Sequence, residues 1–265
     1  MNIVLISPKT SIAFYIFNYP IKFYGLIMAL SMLFAAIVGY NLIKKYFNNL
    51  KAQNFLDLIP FAILFSIIGA RFFYVLGDFK FYLNNLDEII KINHGGLSIF
   101  GGIIFGLIFL LIYSKHKKEN AFYYLDIFSC VLPLAQSLGR WGNFFNQEAF
   151  GAPCNGFLKL YIDYFHRPIG YQNFKFFHPT FLYESVLDFI LFIFLFWFYK
   201  KNNKNFGLTF CLYLIFYSLI RLFVESIRID SVLSLNSFHI ASLISIILFF
   251  VGLITLLILR RKKDR

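Results

Sequence analysis

The sequence predicts an all-α, polytopic membrane helix bundle of about seven transmembrane helices, a single domain over residues 1–265 with its N-terminus outside and its C-terminus cytoplasmic. Three observations predict it. The composition, 59% hydrophobic and 22% aromatic with only 14% charged, lies far from that of a water-soluble domain. Apolar runs near the ~20 residues needed to cross a hydrocarbon core recur at about 21–43, 56–77, 95–113, 122–139, 181–199, 207–227 and 238–259. The basic residues then alternate. Fourteen fall in one set of connections (Lys44, Lys45, Lys51; Lys115, Lys117, Lys118; Lys200, Lys201, Lys204; and the C-terminal RRKKDR run), nine in the opposite set, and Arg71 and Arg221 inside spans. Excess Lys and Arg marks the cytoplasmic face, so the net charge of +12 reads as topology and contact with anionic lipid rather than nucleic-acid binding.

Some twenty mixed residues precede the first span, and no small-residue cleavage pattern follows it, so it is expected to stay in the mature protein. The second carries Arg71 in GARFFY, and the third opens with HGGLSIFGG at 94–102, whose glycines suit close helix contact or an irregular segment lining a cavity. His94 at its edge reads as an interfacial residue. Asp126 lies in the fourth span. Beyond it, where that span leaves the membrane, GRWGNFFNQEAFG at 139–151 gathers Arg140, Asn143, Asn146 and Glu148. Gly139, Gly142 and Gly151 let the backbone turn or approach a ligand closely, and the segment reads equally as a re-entrant turn.

The fifth span holds Glu184 and Asp188; Asp188, like Asp126, reads as a helix cap or bridge or as a functional group. In the sixth, Tyr217, Arg221, Glu225 and Arg228 recur at spacings that place them on one helix face. Intramembrane charge is costly, so this face must meet a polar cavity: two arginines suit a phosphate, and an internal ion-pair face is the other reading. Cys130, Cys154 and Cys211 form no CxxC pair and are expected to be packing residues. The five histidines are scattered, so no metal and no cofactor is expected, and there is no Walker loop or GxSxG elbow. Intramembrane charges would also serve a secondary transporter or channel, though the sequence shows no repeated half.

The segment GRWGNFFNQEAFG resembles the signature of prolipoprotein diacylglyceryl transferases, and it is accompanied in chain order by FYG at 23–25, GAR at 69–71, GGLSIFGG, Asp126, HPTFLYE at 178–184 and RLFVESIR at 221–228. The resemblance implies seven spans with an outside N-terminus, in the bacterial cytoplasmic (inner) membrane. It implies transfer of diacylglycerol from phosphatidylglycerol to the lipobox cysteine of a preprolipoprotein, so the expected partners are that lipid, signal peptides and the bilayer. By matching position, Arg140, Arg221, Glu148 and Tyr24 would be catalytic. Arg140, Asn143, Asn146, Gly151, Tyr217, Glu225, Arg228 and His178 would bind substrate, with Glu184 in support. The chain departs from the family at Phe100, where many relatives carry a histidine, and at VESIRID, which keeps Glu225, Arg228 and Asp230 without an aromatic pair. That leaves the arginine field, Glu148 or His178 to help form the thiolate. The aromatic 152–178 segment reads equally as a lid or as an ordered cover.

Overall fold

A computed structural model describes residues 3–92, 95–229, 234–235 and 238–263. His94, Asp230 and the last two residues of the RRKKDR run lie outside them. Among the described residues seven helices are long and apolar enough to cross a membrane, and with the alternation of polar connections they make the chain a multi-pass membrane protein. They are α1 (Phe23–Tyr46), α2 (Asn49–Gly77), α4 (Ile99–His116), α5 (Ala121–Asn146), α6 (Thr180–Asn202), α7 (Leu208–Glu225) and α8 (Ile240–Lys263), with the short α3 (Phe79–Asn84) between α2 and α4.

Two expectations need correction. Residues 95–98 precede α4 rather than belonging to it, which puts Phe100 in its first turn. The signature segment does not begin with a turn: α5 runs through Gly139 and Gly142 to Asn146. Its glycines serve close helix contact, since a Cβ on Gly139 would lie 2.9 Å from Met28 Sδ and one on Gly142 2.8 Å from the Tyr24 ring. Short strands also occur, which an all-helical pattern does not announce. β1 (Ile3–Ile6) pairs in parallel with β4 (Leu158–Tyr161), which pairs antiparallel with β5 (Phe176–Phe177). A hairpin of β2 (Ile12–Ile16) and β3 (Tyr19–Lys22) leads into α1. The 152–178 segment thus contributes two short strands to a sheet beside a core of Phe150, Leu160, Ile162, Phe177 and Phe181.

The chain forms two compact units, residues 40–125 and the remainder. In the first, α2 and α4 meet along a seam of small residues: a Cβ on Gly101 would overlap the Gly69 carbonyl, and one on Gly69 would overlap Phe105. Packing is therefore what Gly101 and Gly102 of GGLSIFGG provide, whereas Gly95 and Gly96 take positive φ in the segment before α4. Arg71 donates to main-chain carbonyls of Glu88 (2.6 Å), Ile89 (2.9 Å), Gly95 (2.7 Å) and Gly96 (2.9 Å). Its guanidinium lies against the Tyr74 and Tyr82 rings. A planar five-donor fork can satisfy a whole loop that way, as a carboxylate partner would not.

In the second unit Asp126 ties α5 to α7. Its carboxylate accepts the backbone N–H groups of Gly207 (2.6 Å) and Phe210 (2.8 Å), capping the otherwise unsatisfied start of α7, so the bridging reading of Asp126 holds. Gly207 takes φ +93° there, a conformation glycine adopts without strain. Further along α5 the Ser185 hydroxyl donates to the Ser137 carbonyl (2.8 Å) and fixes α6 against it. Cys130, Cys154 and Cys211 are free and buried, as expected of packing residues.

Candidate active site

The end of the second unit where α5 and α7 finish and α6 begins collects most of the residues singled out from the sequence. At its centre is Glu184, fully buried in the first turns of α6. It accepts from Arg140 Nη2 of α5 at 2.6 Å and from Arg221 Nη1 of α7 at 2.9 and 3.1 Å. Arg221 Nη2 reaches Glu225, one turn along α7, at 3.0 Å. Two guanidinium groups from different helices are thus held side by side by one carboxylate. The arginine side chains keep 21% and 14% of their surface exposed while Glu184 keeps 1%, so a group reaching this site meets donors first. Tyr217 lies within electrostatic range of Arg140 and stacks on Tyr213 with ring centroids 5.4 Å apart. Tyr213 in turn accepts from Gln136 of α5 at 3.0 Å.

A second cluster closes α5. The Glu148 Oε1 atom accepts from Asn143 Nδ2 (2.8 Å) and Asn146 Nδ2 (3.2 Å), and its main-chain N–H donates to the Asn143 carbonyl (3.0 Å). Gln147 and Ala149 take positive φ, +53° and +57°, so the turn expected in the signature segment comes here, after the helix. Gln147 holds that strained backbone by a double hydrogen bond to Asp163, Nε2 to Oδ2 at 2.6 Å and Oε1 from the backbone N–H at 2.7 Å. Tyr24, packed against Gly142, lies in the electrostatic range of both Glu148 and Arg140 and so links the two clusters.

Three expected site residues stand apart from the arginine hub. Gly151 pairs through its backbone with Arg228 and donates to the His178 carbonyl at 2.9 Å; a Cβ there would fall 2.9 Å from the Ile227 carbonyl, so the glycine permits two chain segments to touch. Arg228 stands beyond the end of α7 and does not continue the helical face of Tyr217, Arg221 and Glu225. The His178 imidazole meets the Tyr183 hydroxyl at 3.2 Å, and no described hydrogen bond joins it to the arginines. Sequence reasoning also ranked Glu184 as a support when it is the hub, and passed over Gln136 and Tyr213, whose signal was their spacing of four from Arg140 and Tyr217. No group of acidic, histidine or cysteine side chains among the described residues could hold a metal.

A family profile described as prolipoprotein diacylglyceryl transferase matches residues 11–258. Proteins named phosphatidylglycerol–prolipoprotein diacylglyceryl transferase are similar along nearly the whole chain. That of Fervidobacterium nodosum is 41% identical over 240 residues, covering 90% of this chain and 81% of the relative. Those of Thermotoga maritima (38% over 254 residues; 95% and 85%) and Clostridium botulinum (39% over 237; 89% and 91%) are alike in extent. These names favour a transferase over the transporter or channel that the intramembrane charges alone would allow. With the match covering almost every span and the signature arginine seated in a built polar site, the chain belongs to the prolipoprotein diacylglyceryl transferase family.

Proposed function

We propose that this protein moves the diacylglyceryl group of phosphatidylglycerol onto the thiol of a lipobox cysteine in a preprolipoprotein, in the bacterial cytoplasmic membrane, with its N-terminus and the Arg140 site on the outer side. The observation that carries this reading is the convergence of Arg140 and Arg221 on Glu184, which presents two guanidinium edges at a spacing fixed by one carboxylate. Guanidinium forks suit phosphate oxygens. The sulfur attacks the glycerol carbon that bears the phosphate. A carbon–sulfur bond forms as the carbon–oxygen bond breaks, the bonding pair leaves on the phosphate oxygen, and glycerol phosphate departs while the thiol proton passes to a base. Arginines that hold the phosphate more tightly as its charge grows lower the barrier, and a water-poor site strengthens them.

For the thiol side of the reaction Glu148 is favoured over His178. Two amides orient one of its oxygens, and Tyr24 connects it to the arginine cluster, whereas the His178 ring is turned to Tyr183. Asn143 and Asn146 then act by holding Glu148, Tyr217 and Glu225 by holding the arginines, and Gly151 and Arg228 by joining the chain behind the site. Both substrates are amphiphiles and reach the site laterally from the bilayer. The test is incubation of purified protein in phosphatidylglycerol vesicles with a lipobox peptide, reading peptide mass and released glycerol phosphate. A diacylglyceryl mass gain that needs the peptide cysteine and is lost in Arg140→Ala supports the reading; no gain from folded protein with a competent peptide overturns it.

A further inference from the structure

One helical turn, ~5.4 Å, inward from the arginine–glutamate hub the same three helices carry a second polar layer. Gln136 lies one turn before Arg140 on α5, Asp188 one turn after Glu184 on α6, and Tyr213 and Tyr217 precede Arg221 on α7. Asp188 is fully buried, and neither of its oxygens has a hydrogen-bond partner; Gln136 Oε1 and Arg140 Nε are buried and unpartnered as well. Asp188 interacts electrostatically with Glu184, Arg140, Arg221, Tyr213 and Tyr217, so it lies near the hub. A buried polar atom without a partner is costly, so several in one layer beside a substrate site call for a ligand. Their chemistry is specific: three acceptor atoms, two of them on one carboxylate, and one donor.

We propose that Asp188, with Gln136, receives the hydroxyl groups of the phospholipid's headgroup, so that this layer selects a glycerol headgroup while Arg140 and Arg221 hold the phosphate. A carboxylate accepts two hydroxyl donors at once, the geometry a vicinal diol presents, and the arginine Nε donates to a hydroxyl oxygen. The assignment rests on the transferase reading and adds the residue that distinguishes phosphatidylglycerol from lipids sharing only its phosphate.

The test compares phosphatidylglycerol with phosphatidylpropanol, which keeps the phosphodiester and lacks both hydroxyls, as diacylglyceryl donors to one lipobox peptide, and takes the ratio of the two kcat/KM values. Hydrogen bonds from both headgroup hydroxyls to this layer predict that the wild type prefers phosphatidylglycerol by about 10- to 100-fold. Asp188→Leu brings that ratio close to one, and Asp188→Asn, which retains one acceptor and the shape, leaves it between. Because each ratio is internal to one protein, partial loss of folded enzyme cancels, and the asparagine variant supplies the comparison if the leucine variant does not fold. A ratio unchanged in the variants, a wild type indifferent to the hydroxyls, or equal use of phosphatidylethanolamine overturns the assignment while leaving the transferase standing. Failure of the wild type to use phosphatidylglycerol at all overturns the transferase reading itself.

Discussion

Replacing Glu184 with glutamine tests whether the hub holds the bundle together. The carboxylate offers two oxygens: Oε1 takes Arg140 Nη2 at 2.6 Å and Arg221 Nη1 at 2.9 Å, and Oε2 takes the same Arg221 atom at 3.1 Å. An amide has one oxygen and one NH2. With its oxygen in the Oε1 position, the NH2 faces the Arg221 donor; turned the other way, it faces both arginines. Either orientation sets donor against donor, and removal of the charge leaves Arg140 without the one ion-pair partner described for it. Breaking a buried pair by removing one member costs about 3–5 kcal/mol, which for a chain of this size lowers Tm by roughly 10 °C. The three buried cysteines supply the assay, since a thiol-reactive fluorogenic dye in detergent micelles reports their exposure as the bundle opens. A Glu184→Gln variant melting within about 2 °C of the wild type, less than the shift expected from 1 kcal/mol, would refute the reasoning that this carboxylate stabilises the bundle by holding the two arginines.

Asp126→Ala removes the cap on α7, and its two backbone bonds predict a loss of about 1–2 kcal/mol in the same melting assay. Arg71→Lys trades a fork bonded to five carbonyls for a single ammonium, and the 85–96 connection is expected to be cut by protease at least several times faster, with Arg71→Met no slower than the lysine variant. Gly101→Val drives a side chain into the Gly69 carbonyl and Phe73, an overpacking of about 1–3 kcal/mol or more, seen as lower Tm and lower yield of folded protein. Arg140→Lys keeps the charge but cannot serve Glu184 and a phosphate together, so diacylglyceryl transfer is expected to fall by about 10- to 100-fold in kcat/KM while the protein still folds.

The spans were legible because apolar runs of that length, repeated along a chain with so few charges, are accommodated by a bilayer and not by water. The site residues were legible where a motif or a helical spacing grouped them, as with Arg140, Asn143 and Glu148, or Tyr217, Arg221 and Glu225. What escaped was set by contacts between distant segments. Glu184 becomes the hub only because α5 and α7 bring arginines to it from 44 and 37 residues away. The parallel pairing of β1 with β4 joins Ile3 to Leu158 through strands of four residues, too short to show an alternating pattern. The glycines of the signature looked like turn residues, yet a helix tolerates glycine where a neighbour such as Tyr24 needs the room. The carbonyl partners of Arg71 were not legible because sequence inspection counts charged side chains and cannot count free carbonyls.

The Asp126 cap also bears on how the chain assembles as it is made. Asp126 is synthesised 81 residues before the Gly207 N–H it accepts, and Arg140 precedes Glu184 by 44. The fourth span therefore enters the membrane carrying an acid and a base whose partners do not yet exist. It acquires them only when the fifth and sixth spans arrive, which ties the final placement of α5 to both later helices and predicts that a chain truncated after α6 leaves α5 exposed to membrane quality-control proteases.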